Sequence, residues 1–127
     1  MWINKKMKIL IVEDDYPTGD LIKEYLSDLG FVNIDVTTNG ESALNRMKEK
    51  HYGLVISDWA MKPISGIDLL KTMRSRGNGT PFIMVTGDNR MTSLGEASDE
   101  GASHYIVKPV EKKILKETLI KIFGQFE

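Results

Sequence analysis

The sequence predicts an α/β domain in which a doubly wound, five-stranded parallel sheet is covered by five helices. Three observations carry that expectation. Apolar, β-branched runs such as Lys8-Ile9-Leu10-Ile11-Val12 and Leu54-Val55-Ile56 lack alternation, as strands buried on both faces do. Between such runs, apolar residues recur with helical spacing. The strand-to-helix connections are short, which agrees with right-handed crossovers.

The first strand, Lys8 to Val12, ends on Glu13-Asp14-Asp15. Pro17 then stands as a first-turn residue of a helix with apolar positions at Leu21, Ile22, Tyr25, Leu26 and Leu29, stopped by Gly30. Ile34-Asp35-Val36-Thr37 alternates like a short second strand. Asn39-Gly40-Glu41 turns into a helix with Ala43, Leu44 and Met47 on one face. The third strand, in Tyr52-Gly53-Leu54-Val55-Ile56-Ser57-Asp58-Trp59, stops on an acid expected at an exposed rim. Gly66 closes the loop beyond it, and Ile67, Leu69, Leu70 and Met73 mark the third helix. Gly77-Asn78-Gly79 is a turn before the fourth strand, Pro81 to Thr86. Arg90 to Glu100 forms the fourth helix, although Gly95 and the serines lower its propensity. Tyr105-Ile106-Val107 is the fifth strand, ending at Lys108-Pro109. Ile114, Leu115, Thr118, Leu119 and Ile122 make the buried stripe of the last helix.

A chain of 127 residues accommodates one domain with a real core. No repeat or low-complexity linker divides it, so residues 1–127 are expected to form a single domain with its core at about 7–124. Hydrophobic residues at 41% and charged residues at 28% are ordinary for a globular protein. A net charge of −1 supplies no basic field for nucleic acid. The absence of cysteine excludes disulfides and thiolate metal sites, and two distant histidines, His51 and His104, make a poor zinc site. No apolar run reaches membrane-spanning length and no signal peptide is evident, so a cytoplasmic location without membrane contact is expected.

Ligands of open α/β sheets bind beyond the carboxyl ends of the strands. Here those ends offer Glu13-Asp14-Asp15, Asp58, Thr86 and Lys108. Singly, each has a plain structural explanation: Asp58 or Thr86 as a helix N-cap, Lys108 as a solvated lysine. Their convergence from four strands is harder to dismiss. Two carboxylates about 4 Å apart repel by roughly 4 kcal/mol at a near-surface dielectric. Three or more call for a cation, and an all-oxygen site with room for water suits Mg²⁺, with Mn²⁺ able to substitute. Metal and Lys108 together would neutralise a phosphoryl group while a carboxylate attacks phosphorus. Asp58, isolated on the central strand, is the expected acceptor.

These residues resemble the receiver domain of two-component response regulators. The likeness covers nearly the whole chain, and the segments YGLVISDW, GIDLLKTMR, MVTG and GASHYIVKP are most similar to stand-alone chemotaxis regulators of the CheY type. Strand order 2-1-3-4-5 comes with the resemblance, because CheY is itself a standard example of that topology. The resemblance implies that Asp58 takes a phosphoryl group from a sensor histidine kinase, or from a small phosphodonor. Asp14 and Asp58 would bind Mg²⁺ directly, Ala60 through its backbone carbonyl and Glu13 through water. Lys108 would contact the phosphoryl oxygens, followed by Pro109 after a cis bond. Thr86 would move its hydroxyl onto the phosphate, and Tyr105 would change rotamer, reshaping the face of the fourth helix, fifth strand and fifth helix where a downstream protein binds. A strand aromatic such as Tyr105 is also common as plain core. Counting back from Leu29-Gly30-Phe31 puts Glu13 and Asp14 in the family's two acidic positions and leaves Asp15 as a loop residue before Pro17. The family further implies a monomer, with dimers linked to phosphorylation. The chain's end soon after Phe123 leads us to expect a stand-alone regulator without an effector domain.

Departures from the pattern lie at Met61-Lys62-Pro63, where Met-Pro is usual, and at Ala60, Asp88 and Val110. Ala60 and Asp88 bear on phosphate lifetime. Glu96, Asp99 and Glu100 give the fourth helix an acidic surface, suited to a partner other than the flagellar motor switch. Three other readings compete. A haloacid-dehalogenase-like phosphatase needs a second aspartate two residues after the nucleophile, where Ala60 stands. A flavodoxin-like cofactor protein would meet repulsion between phosphate and Glu13-Asp14-Asp15. The third is the receiver domain of a longer regulator or phosphorelay.

Overall fold

Within each apolar run, alternate side chains leave the backbone on opposite sides, so one strand feeds two cores. In β1 (Lys8–Val12), Ile9 and Ile11 enter one core, Leu10 and Val12 the other. The same division holds in β3 (Leu54–Asp58) and β4 (Phe82–Thr86), every residue of which is buried. β2 (Asn33–Thr37) and β5 (His104–Val107) form the edges of the sheet and are only partly covered. The computed structural model describes residues 1–87, 101–102 and 104–126. Its five strands are all parallel, in the order β2-β1-β3-β4-β5.

Among the described residues there are four helices: α1 (Tyr16–Asp28), α2 (Gly40–Glu49), α3 (Gly66–Ser75) and α4 (Lys112–Phe123). α1 and α4 cover one face through Ile22, Leu26, Leu115 and Leu119. α2 and α3 cover the other through Ala43, Leu69, Leu70 and Met73. The helix expected over Arg90 to Glu100 falls outside the described residues, as does its acidic surface.

Three helices start on side-chain caps of the kind that contributes about 1 kcal/mol. Asp15, Asn39 and Ser65 accept from the backbone N–H of Thr18, Ser42 and Asp68 at 3.1, 2.8 and 3.1 Å. Asp15 is therefore the N-cap of α1, a role the sequence reading left unassigned. Ile114 departs from its expected place in the buried stripe of α4, being 41% exposed. At 3.6 residues per turn it stands about 90° from the centre of that stripe. Leu21 holds the equivalent flank position in α1 and is 36% exposed.

Packing extends past the expected 7–124 core at both termini. Ile3 is buried, its N–H donates to Gln125 O at 2.7 Å, and Gln125 N–H donates to Met1 O at 2.9 Å. Gly124 carries a φ of 118°, and a Cβ there would lie 2.7 Å from Met1 O, so glycine permits this approach. Phe126 then sets its ring edge-on to Phe31 at 5.9 Å.

Tyr52, buried just before β3, ties that strand to the edge. Its hydroxyl donates to Asp35 Oδ2 at 2.6 Å, with Lys50 Nζ 3.3 Å from the same oxygen. The Tyr52 hydrogen bond holds the Asp35 carboxyl below its ordinary value, with Lys50 adding to the effect. Burial, helped by Asp35, pushes the Tyr52 phenol up to about 12. A depressed carboxyl contributes stability above its unfolded value of 3.8, and the contribution is lost as pH falls through the folded value. Tyr52→Phe should therefore cost about 1 kcal/mol in urea unfolding at pH 7 and return the Asp35 titration, followed by carboxyl NMR, toward normal.

Candidate functional site

Period-two alternation carries three charged side chains to one place. Glu13 continues the parity of Ile9 and Ile11, Asp58 that of Leu54 and Ile56, and Lys108 that of Ile106, all on the face covered by α1 and α4. The ladder aligns the strand ends, with Val12 beside Ser57 and Asp58 beside Val85. Glu13 N–H still donates to Thr37 O at 3.0 Å, so the backbone stays extended through Glu13. Asp14, of opposite parity, is exposed.

Lys108 Nζ lies 3.1 Å from Glu13 Oε1 and 3.1 Å from Asp58 Oδ1, bridging the two acids. Glu13 is 1% exposed and Asp58 6%, so the acid expected at an exposed rim is in fact buried. Asp58 continues the parity of Leu54 and Ile56, so its side chain leaves the strand on a covered face of the sheet and not out into solvent. Glu13 Oε2 accepts from Asp15 N–H at 3.2 Å. Burial pushes the Glu13 carboxyl up to about 7, against the pull of the Asp15 N–H and Lys108. For Lys108 burial works downward, but Glu13 and Asp58 outweigh it and hold the ammonium above its ordinary value.

Glu13, Asp14 and Asp58 each bring one carboxylate oxygen within 4.8 Å of the others. Among the described residues, the 3.1 Å contact to Lys108 Nζ is the interaction that Glu13 Oε1 makes, which leaves that buried oxygen with unused acceptor capacity. Three carboxylates this close, one of them with acceptor capacity to spare, fit a hard divalent cation with part of its water shell, and Mg²⁺ is the matching ion. Asp15 stands apart from this group, its carboxylate accepting from both the N–H and the hydroxyl of Thr18.

The other expected residues fall around this centre. Thr86 is the last residue of β4, one beyond the partner of Asp58, and is buried. Its carbonyl accepts from Lys108 N–H at 2.7 Å, so β4 fixes where the Lys108 backbone starts. Tyr105 pairs with Met84 and Val107 with Thr86, placing Thr86 and Tyr105 on one face of neighbouring strands. Tyr105 is 38% exposed, stacked on His104 at 5.7 Å, so it is not plain core. Lys108-Pro109 is cis, and so is Lys62-Pro63, where the sequence departs from the usual Met-Pro pattern. Ala60 is exposed beside the site.

The chain belongs to the response regulator receiver domain family, which matches residues 9–120. Members of that family are phosphoacceptors that bind Mg²⁺ in an acidic pocket and work with histidine kinases and downstream targets. Within the family the chain is homologous to chemotaxis regulators. It is 40% identical to chemotaxis protein CheY-3 of Vibrio cholerae over 123 residues, 95% of each chain. It is 38% identical to chemotaxis protein CheY of Pseudomonas aeruginosa over 119 residues, covering 92% of this chain and 96% of that one. The solved structure of the chemotaxis response regulator CheY4 of Vibrio cholerae superimposes with a TM-score of 0.86 at 25% identity, over 93% of this chain and 99% of that one.

The metal-free site should report its own electrostatics. With the Glu13 carboxyl raised from 4.5 to about 7, the folded state holds more protons than the unfolded one between those values. Its contribution to stability is thus present at low pH and lost as pH climbs through about 7. In EDTA, Glu13→Gln should raise the melting temperature relative to wild type at pH 8 by roughly 5 °C more than at pH 5, read by thermal unfolding at both values.

Proposed function

We propose that this chain is a phosphorylation-activated signalling switch, with Asp58 as phosphoryl acceptor from a sensor histidine kinase. The observation that carries the reading is Lys108 Nζ at 3.1 Å from both Glu13 and Asp58, beside three carboxylates whose oxygens lie within 4.8 Å. An Asp58 carboxylate oxygen forms the new P–O bond as the P–N bond to the kinase histidine breaks, and the bond electrons leave with the imidazole. Lys108 supplies a fixed positive charge to the phosphoryl oxygens in a site sheltered from water, where such a charge acts most strongly.

Asp14 and Asp58 are the direct ligands we assign to Mg²⁺, or to Mn²⁺ in its place, with Glu13 acting through water and Ala60 through its carbonyl. Bound there, the cation would neutralise charge on the phosphoryl oxygens during transfer. The chain's own residues promote both phosphotransfer and later hydrolysis of the aspartyl phosphate, without turning over an external substrate. The absence of a carboxylate at Ala60 counts against a phosphatase.

In this scheme Thr86 senses the phosphate and Tyr105 answers it, supported by their positions on one face of β4 and β5. The output surface is assigned to the helix expected over Arg90 to Glu100, β5 and α4, a face whose described part exposes Tyr105 and Val107 at 38% and 40%. Those two residues offer a partner the apolar contact a binding surface needs. Kinship with chemotaxis proteins supports chemotaxis as the pathway. The working unit is taken as a monomeric, cytoplasmic receiver, dimerising only with phosphorylation, and no nucleic acid or membrane enters the scheme. None of its helices among the described residues is long and apolar enough to cross a membrane.

Acetyl phosphate with Mg²⁺ should label the protein, and Asp58→Asn should abolish the label; persistent labelling of that variant would overturn the assignment. Asp14→Asn should weaken Mg²⁺ binding by about tenfold or more in a calorimetric titration, because one anionic ligand is lost. Thr86→Ala should accept phosphate yet gain little affinity for the downstream protein, measured by pull-down of beryllofluoride-treated against untreated protein.

A further inference from the structure

The peptide unit at Asp58 is held more tightly than a strand end requires. Trp59 N–H donates to Val85 O at 2.8 Å, continuing the ladder one step beyond β3. Trp59 O accepts from Gly66 N–H at 2.8 Å, so the chain turns back after a seven-residue step and starts α3 against the strand it has just left. Asp58 O accepts from the Ser57 hydroxyl at 3.0 Å, and Ser57 is fully buried. Gly66 faces the same carbonyl: a Cβ built on it would stand 2.2 Å from Asp58 O and 2.9 Å from Met84 Sδ. Sulfur at the end of Met84 could give way, but the Asp58 carbonyl could not without moving the acceptor. Gly66 has no positive φ, so close approach, and not backbone conformation, is what demands glycine here.

From this we propose that Ser57 and Gly66 are positioning residues for the phosphoacceptor, forming a seat that fixes the Asp58 backbone and thereby aims its carboxylate at Lys108. Neither residue touches the reacting atoms. Ser57 holds the carbonyl in place through its hydroxyl, while Gly66 lets the N-terminus of α3 close over it. This rests on Asp58 being the acceptor, and a displacement of about 1 Å at such a group is enough to slow its chemistry by up to a hundredfold.

The test compares Gly66→Ala and Ser57→Ala with Gly53→Ala. The last is a control at another close contact, where a Cβ would lie 3.1 Å from Met7 Cβ, just before β3 and so at the opposite end of that strand from Asp58. For each, thermal stability, the rate of labelling by acetyl phosphate with Mg²⁺, and the Asp58 carboxyl ¹³C NMR signal are measured. Gly66→Ala should slow labelling about tenfold or more and shift the Asp58 signal, and Ser57→Ala should slow it about threefold with a smaller shift. Gly53→Ala should lose stability while labelling within about twofold of wild type, with the Asp58 signal unmoved. Should Gly66→Ala fail to fold, Ser57→Ala decides alone. Wild-type labelling rates together with an unmoved Asp58 signal in folded seat variants would overturn the proposal. If wild-type protein takes no label at all, the assignment of Asp58 as acceptor fails instead, and the NMR signal still decides whether the seat positions it.

Discussion

Two carboxylates buried at the ends of neighbouring strands can persist only if something answers their charge, and Lys108 is the group that does. At 3.1 Å from each of Glu13 and Asp58, its ammonium attracts each by about 5 kcal/mol at an effective dielectric near 20. Desolvation opposes that gain, and the raised Glu13 carboxyl records how incompletely it is offset. Lys108 follows β5, whereas Glu13 follows β1 and Asp58 ends β3, so one side chain reaches past β4 to join three strands. A long aliphatic stem with a compact charged tip suits that reach. The parallel sheet, its strand order and its register serve to bring these three groups to a single point.

Much of this was legible in the sequence because period-two alternation converts position into direction. Runs such as Ile9 to Val12 and Leu54 to Ile56 announce doubly buried strands, and the acids that end them must then emerge at one edge. What sequence could not supply was depth. Asp58 reads as the exposed end of a strand, yet it is only 6% exposed. Depth also misled at the helix flanks, where Leu21 and Ile114 keep helical period with the core but stand at the margins of their stripes. Asp15 looked like a spare acid because a cap is recognised by the N–H it receives, not by its neighbours in sequence. The terminal packing of Ile3 and Phe126 escaped notice for a similar reason, since it depends on two ends of the chain meeting.

Burial of the acceptor has a chemical consequence beyond stability. In a sheltered site, fixed charges act through a lower dielectric than in water, so Lys108 is worth more to a developing phosphoryl anion than a solvated lysine would be. The same burial makes geometry exacting, because close packing leaves a displaced group little room to readjust. That is why the contacts around the Asp58 carbonyl matter: Ser57 and Gly66 fix a backbone whose side chain has little freedom to correct an error.

The shared ammonium also links chemistry to shape. A phosphoryl group on Asp58 would add negative charge next to a lysine already divided between two acids, and the balance among Glu13, Asp58 and the new oxygens would have to change. The Lys108 backbone is tied to its neighbours, since its N–H is bonded to Thr86 O at 2.7 Å and Ile106 is anchored in the core two residues earlier. In the proposed switch, the adjustment would reach the ends of β4 and β5, where Thr86 and Tyr105 share a face. Edge strands with one partner yield more readily than central ones, and β5 is an edge strand with Tyr105 and Val107 already at the surface. On the proposed scheme, a charge event at the middle of the sheet would thus have a short route to its margin, through residues that the ladder itself holds in register.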